Sequence, residues 1–218
     1  MAKDKITFFT VVYAIIVILD LTTLSVFPDY RFITKPMVMI SLIVYYMLAN
    51  IKLNWMFLGA LIFALLGDIF LLNEGSNPFL YGIIAFLSMQ LIYTYLFFKW
   101  RLYSTLKLGG IIALLLYGTA LSIFLLPHVD TALRPAIIIY ALCITGMGIS
   151  AWLLDKSNRF GVVIMIGAVL FILSDTLLAI DKFVYNDDLL PICIMATYAA
   201  AQYLIVLGFM GYKKSYKH

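Results

Sequence analysis

Charge is what this sequence has least of. Asp, Glu, Lys and Arg together make up 12% of its 218 residues, against 65% hydrophobic ones. A soluble domain carries roughly twice that share of charge, and a chain of this length has too little interior to hide so much apolar surface from water. Its solvent is therefore a bilayer. Histidine is scarce as well: His128 falls in a polar connection and His218 is the last residue. That excludes a histidine-held catalytic zinc at membrane depth and a Ser–His or Cys–His pair for covalent acyl transfer. The two cysteines, Cys143 and Cys193, lie inside apolar runs, where they read as small hydrophobes rather than a disulfide framework. No Gly-rich phosphate loop and no haem or flavin signature is present, so neither a cofactor nor a metal is expected. Lys213, Lys214 and Lys217 form only a short basic tail, which gives no support to nucleic-acid binding.

What is present is a series of long apolar runs. They lack the period-two alternation of barrel strands, and lipid offers the backbone no hydrogen bonds, so the runs must be helices. The expected fold is all-α: a polytopic membrane protein of one integral membrane domain over residues 1–218. Eight spans are expected, at roughly 6–25, 35–51, 55–72, 79–98, 108–126, 134–154, 160–180 and 189–211. The connections are short, so whatever the protein does takes place in or beside the membrane. The N-terminal run has a basic lead but no small-residue cleavage site and ends on Asp20; it reads as an uncleaved first span. Of the fifteen Lys and Arg residues, only Arg31, Lys35, Arg134 and Lys182 fall opposite the N-terminal side. The positive-inside rule then places both termini in the cytoplasm. Trp55, Trp100 and Trp152 stand at cytoplasmic span ends, as interface anchors do.

Two segments carry an acid where its neighbours avoid water: GALIFALLGDIFLL at 59–72, with Asp68, and GAVLFILSDTLLAI at 167–180, with Asp175. Lys35-Pro36 opens the second expected span and Arg134-Pro135 the sixth; Gln90 and Gln202 lie in the fourth and eighth. Together these suggest a 4+4 duplication with parallel halves. Asp68 lies roughly 20 Å past Trp55, and Asp175 roughly 22 Å past Phe160, at 1.5 Å per residue. Both acids therefore reach the outer third of the membrane, at the level of Asp20, Lys35 and Arg134. A carboxylate there costs about 2.5–3.5 kcal/mol on insertion scales. Two that share a cavity divide into one protonated acid and one ionised base, and Asp68 with Asp175 is the pair expected to do so.

Other polar residues read in two ways. Asp20 is as well explained by a helix-end acid meeting headgroups as by a site role. Lys35 reads first as a snorkelling span-end lysine and second as a site residue. Gln90 and Gln202 suit helix-joining hydrogen bonds. Ser174 suits a small packing residue better than a nucleophile, and the Gly-Ala pairs at 59–60 and 167–168 suit close helix packing.

The chain resembles the YhhN/TMEM86 family of membrane proteins, which includes lysoplasmalogenases. The resemblance rests on Lys35-Pro36, ALIFALLGDIFLL at 60–72, Gly82 with Phe86 and Tyr93, GAVLFILSDTLLAI at 167–180 with Phe183, and Tyr198 with Ala201-Gln202. It departs at Gln90, where the family pattern has a histidine. The resemblance implies hydrolysis of the vinyl ether of lysoplasmalogens, a lysophospholipid substrate, to a fatty aldehyde and a glycerophospho head group. Asp68 and Asp175 would supply the acid and base, Lys35 a phosphate contact or an influence on a carboxylate. Asp20, Gln90, Tyr198, Gln202 and Ser174 would line or orient the site. A transporter or lipid-binding protein is the rival reading, since parallel repeats with buried acids also suit carriers; an enzyme-like fold without activity is a third. Lean loops and the absence of retention signals favour a bacterial inner membrane.

Overall fold

A computed structural model of the chain describes residues 3–49, 52–73, 75–100, 108–185 and 187–215, with side chains between 7 and 213. Part of the Lys and Arg asymmetry rests on Lys3, Lys5, Arg101, Lys107, Lys214 and Lys217. For these residues either the whole residue or its side chain lies outside that description. The described elements are helical: α1 (Lys3–Val26), α2 (Arg31–Ala49), α3 (Trp55–Phe70), α4 (Ser76–Lys99), α5 (Leu108–Leu125), α6 (Arg134–Trp152), α7 (Arg159–Phe183) and α8 (Leu190–Ser215), with 3-10 turns at Pro28–Tyr30 and Leu126–His128. No strand occurs among the described residues. All but α3 are long and apolar enough to cross a membrane, and the chain is an integral multi-pass membrane protein.

Several boundaries differ from expectation, three of them near the candidate polar residues. The 16 residues of α3 reach only about 24 Å, because its end tightens into a turn in which Leu72 and Asn73 donate to the carbonyls of Ile69 and Phe70 at 3.2 Å. Helix α2 starts at Arg31, not at Lys35, so Pro36 lies inside it; the proline that opens this stretch is Pro28, at the start of the 3-10 turn. Helix α7 runs three residues past its expected end, to Phe183. Local chemistry sets other limits. Asn54 and Asn158 cap α3 and α7 by accepting from the N–H groups of Phe57 (3.1 Å) and Phe160 (3.0 Å). Inside the spans, hydroxyls return to the carbonyl four residues back, as in Ser88 to Ile84 and Thr176 to Ile172. This keeps them satisfied where water is missing.

The chain divides into two compact units, Met1–Met89 and Gln90–His218, with the division inside α4. In the first unit, α2 packs on both α1 and α3, with the rings of Tyr46 and Phe57 5.0 Å apart. Gly67 on α3 receives the ring of Phe86 from α4: a Cβ there would stand 2.7 Å from it. Gly59, expected to be the close-packing glycine, has nothing within 4 Å of its missing Cβ. In the second unit, α7 and α8 form the most extensive contact, and small residues make it possible on both sides. A Cβ on Gly167 would stand 3.0 Å from the Ala201 carbonyl oxygen, and one on Gly208 3.0 Å from the Ile164 nitrogen and the Phe160 carbonyl oxygen. Trp100 is not a lipid-facing anchor. It is buried and packs on Phe209 (4.7 Å) and Tyr212 (5.2 Å), whereas Trp55 is exposed as expected. We expect Gly208→Ala to lower stability by about 1–3 kcal/mol through backbone displacement, and Gly59→Ala not to lower it. Thermal unfolding of both variants in detergent checks the contrast.

Candidate functional site

In the first unit, polar side chains gather from three helices. Asp20 on α1 and Asp68 on α3 are buried, and so is Lys35 on α2. The Thr34 hydroxyl donates to Asp20 Oδ1 at 2.7 Å and lies 2.7 Å from the Thr23 hydroxyl. Asp20 Oδ2 and Arg31 Nε are both buried without a hydrogen-bond partner. Charges of both signs face one another here. Lys35 lies in the fields of Asp68, Arg31 and Asp20, with Asp68 the strongest, and Arg31 in those of Asp20 and Asp68. Two acidic and two basic side chains thus share one cluster, the arrangement in which opposite charges offset one another away from water. Burial of Lys35 overturns the snorkelling reading, because a snorkelling ammonium ends in water.

In the second unit, Asp175 is half-buried and its Oδ2 is an acceptor for two groups: Gln90 Nε2 at 3.3 Å and the Tyr140 hydroxyl, at very short range. Gln90 is fully buried; its Oε1 has no hydrogen-bond partner. Beside this group, the Tyr93 hydroxyl donates to Gln202 Oε1 at 3.0 Å, joining α4 to α8. Tyr198 is buried with its ring 5.9 Å from that of Phe171. Ser174 donates to the Ile194 carbonyl at 2.9 Å, which fastens α7 to α8.

Asp68 therefore belongs with Lys35 in the first unit, and Asp175 with Gln90 and Tyr140 in the second. Asp20 joins the charged group of the first unit rather than a bare helix end. Gln202 and Ser174 both join helices through hydrogen bonds; for Ser174 this is a bond to backbone where a small packing residue is expected. Asp68 lies two residues before the end of α3 and Asp175 eight before the end of α7. Sequence reasoning missed Tyr140, Arg31 and Thr34. Tyr140 carried a signal, since a phenol in an apolar run needs a partner; Arg31 was placed in a connection, which concealed it. No group of three or more His, Cys, Asp or Glu side chains that could hold a metal ion occurs among the described residues.

The chain matches the model of the YhhN family over residues 30–209. It is similar to the mouse protein lysoplasmalogenase TMEM86B, 34% identical over 155 residues that make up 71% of this chain and 63% of the mouse protein. It is also similar to the rat protein of the same name, at 33% identity over 71% of this chain and 61% of its relative. The bovine lysoplasmalogenase TMEM86A is 30% identical over 171 residues, 75% of this chain and 68% of its relative. The matched region thus spans less than two thirds of the length of the two rodent relatives. No solved structure matches.

Proposed function

We propose that this chain, which belongs to the YhhN family, hydrolyses the vinyl ether bond of lysoplasmalogens by carboxyl acid and base catalysis, releasing a fatty aldehyde and a glycerophospho head group. The observation that carries the reading is a carboxyl group, Asp175, held inside an apolar span by two hydrogen-bond donors, in a chain similar to lysoplasmalogenases. A vinyl ether resists base and yields to acid. Protonation of its β-carbon breaks the π bond and leaves an oxocarbenium ion shared by the α-carbon and the ether oxygen. Water adds at the α-carbon and gives up a proton, forming a hemiacetal. Its collapse breaks the bond to the glycerol oxygen, which takes the hydroxyl proton as the aldehyde leaves. The chemistry needs a neutral acid, an anion to stabilise the cation, and a base for the water. Glycosidases meet similar needs with two carboxyl groups.

Asp68 and Asp175 are the proposed carboxyl pair. Lys35, whose strongest charged influence is Asp68, acts on that carboxylate rather than on the lipid phosphate. The substrate, a single-chain amphiphile, comes from the surrounding lipid. We place the protein in a bacterial inner membrane, supported by its short connections. The purified protein, mixed with lysoplasmalogen and with a panel of ordinary lysolipids, should give aldehyde and the glycerophospho product from the first alone, by mass spectrometry. Substrate recovered unchanged, or moved across a vesicle membrane without cleavage, would point to a carrier instead.

A further inference from the structure

We propose that Gln90 positions the attacking water, binding it through its side-chain oxygen next to Asp175; the inference rests on the hydrolytic reading above. Four facts carry it. Gln90 has no exposed surface. Its amide nitrogen donates to Asp175 Oδ2. That same oxygen accepts from Tyr140, so it is an acceptor, and the Gln90 amide is oriented with nitrogen towards the acid. Oε1 must then turn to other surroundings, and there it has no hydrogen-bond partner.

A buried amide oxygen without a donor bears its full desolvation cost, and fully buried polar groups without partners are uncommon enough to require a reason. In the reaction, the vinyl carbons and the alkyl chain of the substrate have no proton to donate. Water has two, and both are needed. As the water oxygen forms its bond to the α-carbon, one proton passes to a carboxylate, of which Asp175 is the adjacent one. The other stays on the oxygen as the hemiacetal hydroxyl, and its O–H donates the hydrogen bond that Gln90 Oε1 accepts. A water held between an amide acceptor and a carboxyl is fixed in orientation before the cation forms, which is the contribution expected of a positioning residue.

The glycerol hydroxyl of the lipid is the other donor that could meet Oε1, and the experiment separates the two. The oxocarbenium ion can be captured by methanol as well as by water. Methanol adds its oxygen to the α-carbon, gives its hydroxyl proton to the carboxylate and leaves a mixed methyl acetal, which persists instead of collapsing. The ratio of acetal to aldehyde in dilute methanol therefore reports on the nucleophile's position and is independent of overall rate. We expect Gln90→Ala to lower kcat about tenfold or more, to leave KM within about twofold, and to raise the acetal-to-aldehyde ratio about threefold or more. Gln90→His retains one donor for Asp175 and one acceptor for water, and should keep the wild-type ratio. A wild-type ratio in Gln90→Ala, or a rise in KM alone, overturns the proposal; the latter would assign Oε1 to the glycerol hydroxyl. Should Gln90→Ala give no product at all, Gln90→His decides: retained turnover supports the proposal, and equal loss in a variant that elutes as folded protein refutes it. Failure of the wild-type protein to release any aldehyde would instead strike at the hydrolytic reading itself.

Discussion

Aldehyde release from lysoplasmalogen should fall by about a thousandfold or more in Asp175→Asn, and again by about a thousandfold or more in Asp68→Asn. The step most in need of help is protonation of a carbon atom, and a carboxamide has no acidic proton to deliver. Asn is nearly the shape of Asp, so at position 175 its oxygen can still accept from Gln90 and Tyr140, which donate to the Asp175 carboxyl, and the second unit should fold as before. The double variant should be little worse than the weaker single one, because groups that act on the same transition state do not contribute additively. Rates must be set against the amount of folded protein, since Asp68 is buried and its charge also bears on Lys35 and Arg31. Full turnover by both single variants would end the two-carboxyl mechanism. Loss in one variant alone would reduce it to a single acid that donates the first proton and later takes one back from water.

The helices were legible because apolar runs of near-span length have few alternatives in lipid, and seven of them are long enough to cross. What the runs conceal is where a helix stops when no proline or glycine marks the place. Lys35-Pro36 is expected to open the second span, yet α2 already runs from Arg31. That shift brought Arg31 from a loop into the helix that carries Thr34 and Lys35. The two conspicuous acids were also legible, since each interrupts a run otherwise free of charge. Their partners were not. Tyr140 lies 35 residues from Asp175, and Gln90 lies 85; neither distance has a period that a sequence can display. Glycine shows the same limit: Gly59 and Gly67 look alike in the run, but only Gly67 faces a ring, because the side that a helix turns to its neighbour is fixed by packing.

Lys35→Met should be the most destabilising single change in the first unit, at about 3–5 kcal/mol. Met fills much of the volume of the lysine stem, so packing loss is small. The cost lies in what remains. With the ammonium gone, Asp68 and Asp20 both lose a cation that acts on them, and Arg31 is left facing two buried carboxyl groups. Removing one member of a buried charged set is costly for that reason, while removing a matched pair costs much less. The double variant Lys35→Met with Asp68→Leu should therefore recover at least half of the loss, a positive coupling that a double-mutant cycle measures directly. Thermal unfolding of the two single variants and the double in detergent supplies the four corners of that cycle. An unchanged melting temperature in Lys35→Met would mean that the ammonium reaches the headgroup layer after all and stabilises nothing in the interior. The coupling also fixes how the catalytic test must be read. If it is large, part of any activity loss in Asp68→Asn reflects a lysine left with less opposing charge, and Asp175→Asn becomes the cleaner measure of what a carboxyl group contributes to the chemistry.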